Sequence, residues 1–207
     1  LSDIKCNELC RLLNLDTNNG IIIHSYILMK YLKKIYLNLY YVSSTTKVLT
    51  DFHDFKKEVE NPDFAYVVPD FRLNKQFEKL NSLSEVYKQK VEFLCNECCW
   101  YGCKDRRECY KTVSKQNLGI DCTDHICKAP YSNEGYRFSR VMESPAFISL
   151  DDILNIYVPM GYSNFKIEGR DLGNALLLEF ILYYMVKPQY QIHVREAMYL
   201  DAMLDLF

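Results

Sequence analysis

The chain has 207 residues, 49% of them hydrophobic, which is enough apolar side chain for one sizeable core. Its 25 basic and 27 acidic residues give a net charge of −2, which excludes a strong overall attraction to nucleic acid or to an anionic membrane surface. The longest apolar stretch, Ala175–Val186, contains Glu179 and is too short to span a bilayer. The polar opening LSDIKCNELC does not resemble a secretory signal. We therefore expect a cytoplasmic protein without a membrane partner, whose thiols stay reduced.

Short apolar, β-branched or aromatic runs alternate with segments of helical period along most of the chain. The runs predict five strands, in order at 21–23, 39–42, 64–68, 91–94 and 165–167. The periodic segments predict helices after the cap residue Ser2, over 26–35, 51–59, 74–88 and 105–114, from Ser149 onward, and over 172–185 and 192–206. Apart from the helix at 105–114, we expect the region from Cys99 to Ser144 to be irregular.

This alternation of strands and helices predicts an α/β fold with a parallel sheet covered by helices. Five strands fit either an open doubly wound sheet or most of a (β/α) barrel, in which case the remaining strands come from a missing N-terminal part or a partner chain. No glycine-rich phosphate loop follows a strand, which weakens the nucleotide-binding version. We expect one domain over residues 1–207, with a cysteine-rich loop region at 95–144 and C-terminal helices at 172–207.

Polar side chains follow each predicted strand, where parallel α/β folds place their sites. They are His24 and Ser25; Ser43, Ser44, Thr45, Thr46 and Lys47; Asp70, Arg72 and Asn74; the segment from Cys95 to Cys103; and Glu168 and Arg170. A second interpretation stays open, because exposed loops are polar in most proteins of this class. On that interpretation Asp70–Arg72 and Glu168–Arg170 are salt bridges, and the hydroxyl run at 43–46 is a helix-capping turn rather than an anion site.

Seven of the nine cysteines lie between Cys95 and Cys127. In a reducing compartment such a cluster favours metal or redox chemistry over disulfides. Cys95 belongs to a predicted strand, so we expect it to be a packed core thiol. The thiolates of Cys99, Cys103 and the later cysteines are suited to a [4Fe–4S] cluster. A structural zinc ion is the main alternative, and free thiols are the third.

Four segments resemble the collagenase-like peptidase superfamily, peptidase family U-thirty-two. They are 42–47 (VSSTTK), 91–103, 144–152, and 165–170, whose KIEGR motif is the most specific match. The resemblance implies a TIM-barrel-like domain. Members of the family include supposed peptidases and proteins of anaerobic hydroxylation of ubiquinone precursors and RNA bases, several with an oxygen-sensitive [4Fe–4S] cluster on four cysteines. Carried over by position, the ligands are Cys99, Cys103, Cys122 and Cys127, with Cys109 in reserve.

Three functional hypotheses follow. The first is an iron–sulfur protein that modifies a small molecule or an RNA base, with Glu168, Arg170, Asp70 and Arg72 lining the substrate pocket; arginine there suits a carboxylate. The second is a zinc-stabilised or non-catalytic α/β module that binds, or completes a barrel with, a partner chain. The third is a hydrolase, although the sequence has no H-E-x-x-H motif or recognisable nucleophile–base pair.

Overall fold

The computed structural model describes residues 2–169 and 172–203. Its strands are β1 (Gly20–Ile23), β2 (Tyr40–Ser43), β3 (Tyr66–Val67), β4 (Glu92–Leu94) and β5 (Asn164–Lys166). Its helices are α1 (Ile4–Leu13), α2 (Tyr26–Ile35), α3 (Phe52–Glu60), α4 (Phe77–Asn81), α5 (Glu85–Lys88), α6 (Arg106–Asn117), α7 (Phe138–Val141), α8 (Leu150–Asp152), α9 (Asn174–Met185) and α10 (Pro188–Met203). Single 3₁₀ turns lie at Thr45–Lys47, Phe71–Leu73 and Ser132–Glu134, and a π turn at Ile153–Tyr157 continues α8.

Every strand pairing in this part of the chain is parallel. β1, β2 and β3 form one sheet in that order, and β4 and β5 form a second. A parallel bridge between Val67 and Val91 links the two, and the Val67 N–H donates to the Lys90 carbonyl at 2.7 Å. The strand order therefore follows the chain, without the reversal of a doubly wound sheet. The predicted parallel α/β architecture is confirmed, but the described strands do not close into a barrel.

Local capping explains where several helices begin. Ser25 caps α2 and Asp51 caps α3, each through a side-chain oxygen that accepts a backbone N–H. Ser149 and Asp152 form the reciprocal capping box of α8, as the sequence predicted. The cap of α1 is Asp3 rather than the predicted Ser2, because Asp3 Oδ1 accepts the Cys6 N–H at 2.7 Å.

The prediction of one helix over 74–88 is wrong. Asn74 follows a 3₁₀ turn, and its amide donates to the carbonyls of Leu94 and Ala146, both at 3.0 Å. The helical path then breaks between α4 and α5, where Leu80 and Leu83 both enter the core. Tertiary hydrogen bonds and core packing thus override the helical period of this segment.

The last two helices also differ from their predicted bounds. α9 begins at Asn174 rather than at 172 and ends at Met185 as predicted, and α10 begins at Pro188 rather than at 192. Proline is compatible with the first turn of a helix, since the first N–H groups have no partner within the helix.

One main core runs from Ile23 to Tyr162, with aromatic side chains at its centre. Phe93 of β4 contacts Tyr157 edge-on at 4.9 Å and Tyr162 at 5.0 Å between ring centroids. Cys95 is 1% exposed and belongs to this core, which confirms the prediction of a packed thiol. Burial raises the pKa of Cys95 to about 12. Within the described residues, the helices are too short or too polar to cross a membrane.

Candidate functional site

The carboxyl ends of β3, β4 and β5 bring Asp70, Glu97 and Glu168 into one polar region. Asn96 aligns the last two of these strand ends. Its Nδ2 donates to the Glu168 carbonyl at 3.0 Å, and its Oδ1 accepts the Glu168 N–H at 2.7 Å. Asn96 is fully buried. Its side chain therefore extends the β4–β5 pairing past the last ladder residues and holds the Glu168 side chain at the edge of the sheet.

Arg106 connects this edge to the cysteine-rich segment. It is 2% exposed, its Nη1 donates to Asp70 Oδ2 at 2.9 Å, and its Nη2 pairs with Glu97 and donates to the Tyr110 hydroxyl at 2.8 Å. Burial alone lowers the pKa of Arg106, but Glu97, Tyr110 and Asp70 outweigh it and raise the pKa above its ordinary value. Arg106 is thus a permanent buried cation between two carboxylates, an arrangement that is stable only while all partners are present.

Asp70 and Arg72 form one of the predicted salt bridges. Arg72 Nε donates to Asp70 Oδ1 at 2.8 Å, and its Nη1 donates to the Cys103 carbonyl at 3.0 Å. The Asp70–Arg72 pair therefore helps to fix the cysteine-rich segment, and its role in lining a substrate pocket stays a prediction. Arg170, the fourth predicted pocket residue, lies outside the described residues, so the Glu168–Arg170 pair stays a prediction.

Glu97, Cys98 and Glu168 place one ligand atom each within 4.8 Å of the others. The backbone orients them: Cys98 N–H donates to Glu168 Oε2 at 3.2 Å, and Cys99 N–H donates to Glu97 Oε1 at 3.1 Å. Burial raises the pKa of Glu168, and the nearby Glu97 raises it further. Burial also raises the pKa of Cys98, and the neighbouring Glu168 and Glu97 raise it further. Glu97 is already paired with Arg106, and the site favours the protonated forms of Cys98 and Glu168. A cation between the three ligand atoms would favour their ionised forms instead.

The electrostatics of the cysteine-rich segment show which of the predicted cluster ligands influence one another. Burial raises the pKa of Cys99 to about 12, with Arg106 opposing and Glu97 and Cys103 adding to the shift. The pKa of Cys109 is raised by burial and then by Cys127 and Cys103. Cys99 and Cys103 therefore lie within electrostatic range of each other, and Cys109 lies within electrostatic range of Cys103 and Cys127. The Cys122 thiol instead lies 3.9 Å from the Thr112 carbonyl of α6.

The spacing of these thiols bears on the kind of metal they could hold. A tetrahedral zinc ion with Zn–S bonds of about 2.3 Å brings its sulfur ligands to about 3.8 Å from one another. Among the described cysteines, no three sulfur atoms lie within 4.8 Å of one another. The cysteines therefore do not form a ready-made zinc tetrahedron. A [4Fe–4S] cluster places one thiolate on each of four irons and so separates its ligands more widely.

A second polar cluster lies at the end of β2. Glu58 accepts the Ser43 hydroxyl at 2.5 Å and also pairs with Lys47 and with the Tyr26 hydroxyl. Lys47 lies 4.2 Å from the Tyr26 ring centroid. Burial favours the neutral form of Glu58, but Lys47, Ser43 and Tyr26 outweigh it and lower its pKa. This cluster is internally neutralised.

The sequence left two interpretations for the hydroxyl run at 43–46, a helix-capping turn or an anion site. Ser44 Oγ accepts the Thr46 N–H at 3.2 Å and caps the 3₁₀ turn, which confirms the turn. His24 is hydrogen-bonded through Nδ1 to Thr46 Oγ1 at 2.9 Å. Anion binding by this run stays a prediction.

Sequence reasoning missed Arg106 and Glu58, the centres of the two clusters. Arg106 has one local signal, because it stands four residues before Tyr110 on the predicted helix and so shares its face. Glu58 had none, since it lies among other charged residues of α3.

No protein-family model, curated protein or solved structure matches this chain.

Proposed function

We propose that this chain is an iron–sulfur protein that takes part in anaerobic hydroxylation or a related redox modification of a small molecule or an RNA base. The resemblance to peptidase family U-thirty-two supplies the class of reaction, with a cytoplasmic, oxygen-poor setting in which thiols stay reduced. The observation that carries the proposal is the attachment of the cysteine-rich segment to the strand-end edge of the parallel sheet through Arg106, Asp70 and Glu97.

Three thiols fit the cluster best. Cys99, Cys103 and Cys127 are shared by the carried-over ligand set and by the group of electrostatically neighbouring thiols. For the fourth ligand, Cys109 is favoured over Cys122. Cys127 and Cys103 both raise the pKa of Cys109, whereas the Cys122 thiol contacts the α6 backbone. A shallow cleft of about 240 Å³ beside Cys103, also lined by Trp100, His125 and Lys128, offers an entry path. When bound, the cluster would supply one-electron redox chemistry.

Glu168 is the carboxyl group best suited to handle a proton beside this centre. It is half-buried at the end of β5, and burial and Glu97 raise its pKa above the ordinary value of a glutamate. A raised carboxyl pKa matches the demands of general acid–base chemistry better than an ordinary one. Asp70 and Arg72, which are held in ion pairs, act instead as positioning residues for the segment.

The test is anaerobic purification followed by iron and acid-labile sulfide analysis and visible absorption spectroscopy. We expect close to four irons and four sulfides per chain, and loss of the visible band in Cys103→Ser. Cys6→Ser on α1 is the matched control and should keep the band. A colourless, iron-free protein after anaerobic reconstitution would overturn the proposal.

A second candidate function is the binding of one divalent zinc ion by Glu97, Cys98 and Glu168, favoured by the 4.8 Å grouping of their ligand atoms. Mixed carboxylate and thiolate ligands suit zinc, which would leave one position open for water or substrate. Titration with zinc should raise the melting temperature of the wild type and not of Cys98→Ala. Equal stabilisation of both proteins by zinc would exclude this site. Cys103→Ser distinguishes the zinc site from the iron–sulfur cluster, because this variant should lose the cluster and still bind zinc.

The parallel strands are also proposed to form part of a (β/α) barrel completed by strands of another segment or partner chain. The sequential strand order supports this, because a barrel is wound in one direction. In the described structure β1 and β5 each pair with one strand, so each has a free edge. Light scattering of the chain with and without a candidate partner tests the proposal; a strictly monomeric chain in every mixture would count against it.

A further inference from the structure

The turn that follows β2 holds an uncommon backbone conformation. Val48 has φ 53° and ψ 54°, the left-handed region that β-branched residues rarely occupy. Arg107 of α6 fixes this turn from outside: its Nη2 donates to the carbonyls of Lys47 at 3.3 Å and Val48 at 3.4 Å. Such strain persists only where surrounding contacts impose it, and it is concentrated at functional positions.

The hydroxyl groups of the same turn orient His24. Ser44 Oγ and Thr46 Oγ1 are 2.8 Å apart, and Thr46 Oγ1 is 2.9 Å from His24 Nδ1. If Ser44 donates to Thr46 and Thr46 donates to His24 Nδ1, the imidazole carries its proton on Nε2. The residue is exposed, so Nε2–H is left as a donor for a ligand.

The charge around His24 is positive. Burial lowers its pKa, and Lys47 and Arg107 lower it further; no acidic group adds to the shift. The charge of Lys47 is offset by Glu58. Arg107, in contrast, makes no ion pair within residues 2–169 and 172–203, and its two bonds go to backbone carbonyls. The carboxyl ends of β1 and β2 therefore carry the cation Arg107, which has no carboxylate partner among the described residues, beside the oriented N–H group of His24. A cation next to a neutral N–H donor is the composition of an anion site.

We propose that His24 and Arg107 form an oxyanion subsite at the carboxyl ends of β1 and β2 that takes the phosphate group of a small ligand, with Thr46 as the residue that orients the imidazole. The imidazole Nε2–H and the guanidinium N–H groups belong to different elements of the fold, and a phosphate offers them several acceptor oxygens in different directions, whereas a carboxylate offers two in one plane. The subsite contains no cysteine and needs no metal. The subsite goes beyond the proposed iron–sulfur function, and the two proposals can be tested independently of each other.

The experiment is calorimetric titration of the purified chain with inorganic phosphate, a simple phosphate monoester and acetate, together with NMR of the imidazoles. The chain has four histidines, and His24→Gln identifies the signal of His24. Phosphate should move that signal and raise the pKa of His24. Binding of the monoester as tight as, or tighter than, that of inorganic phosphate indicates a phosphorylated ligand, and the reverse indicates free phosphate.

Arg107→Gln should weaken phosphate binding about tenfold, and Thr46→Val should weaken it several-fold. Arg11→Gln, on exposed α1, is the matched control and should leave binding unchanged. Circular dichroism checks that each variant is folded, and the wild-type His24 signal tests the proposal even if a variant is not. Phosphate that leaves the His24 signal unmoved, binds Arg107→Gln as tightly as wild type, or binds no better than acetate would overturn the proposal.

Discussion

Two glutamates beside the carboxyl ends of the parallel strands differ in their surroundings; Glu58 is buried and Glu168 is half-buried. Glu58, at the end of β2, is matched by Lys47, Ser43 and Tyr26, which lower its pKa against the cost of burial. Glu168, at the end of β5, has Glu97 and Cys98 beside it, and burial and Glu97 raise its pKa. Burial is the first influence on both groups, so the neighbours decide the outcome. The charges of the first cluster are balanced by one another. In the second cluster, a proton or a bound cation would relieve the repulsion between Glu168 and Glu97.

Removal of the buried cation Arg106 should have the largest effect. Arg106→Leu leaves Asp70 and Glu97 buried without their shared partner, so we expect a loss of about 3–5 kcal/mol in the free energy of unfolding. Urea denaturation measures this loss. Arg11→Leu, at an exposed position of α1, should change stability by less than about 0.5 kcal/mol. Equal effects of the two variants would show that the Arg106 network does not hold the cysteine segment.

Lys47→Met tests the balanced cluster. It leaves the Glu58 carboxylate buried with two hydroxyl donors and no cation, and we expect a loss of about 3 kcal/mol. The double variant Lys47→Met, Glu58→Gln should recover part of this loss, because the buried charge is removed as well. Urea denaturation of both variants checks the coupling. A double variant less stable than Lys47→Met would contradict the view that the unpaired charge is the cause.

The smallest and most specific effect concerns pH. The pKa of Glu58 is lowered from about 4.5, so its contribution to stability is present above that value and is lost as pH falls through the folded-state pKa. The pKa of Glu168 is raised from about 4.5, so its contribution is present below that value and is lost as pH rises through the folded-state pKa.

At pH 7, Glu58→Gln should therefore destabilise the protein, while Glu168→Gln should stabilise it by on the order of 1 kcal/mol. The difference in unfolding free energy between wild type and each variant, measured from pH 4 to 8, should slope in opposite directions for the two positions. Parallel slopes would remove the distinction between the clusters.

The local sequence pattern was sufficient to predict most of the helices and strands and part of the candidate site. Short apolar, β-branched or aromatic runs and capping residues such as Ser149 are local, and the strands at 20–23, 40–43 and 92–94 lie where predicted, within a residue. The Asp70–Arg72 bridge was also within reach, because its partners are two residues apart. Cys95 followed from its place in a strand. These features depend on neighbours in sequence, whose relative positions the backbone conformation sets.

The links that make the edge a candidate site were decided by tertiary structure. Arg106 meets Asp70 across 36 residues and Glu97 across nine, and Glu58 meets Ser43 across 15. The break in the predicted helix at 74–88 has the same origin, since Asn74 bonds Ala146 across 72 residues. Residue type and spacing do not encode which buried charges will share a partner. That choice follows from how the cysteine-rich segment folds back onto the strand ends, where most buried polar groups find a partner.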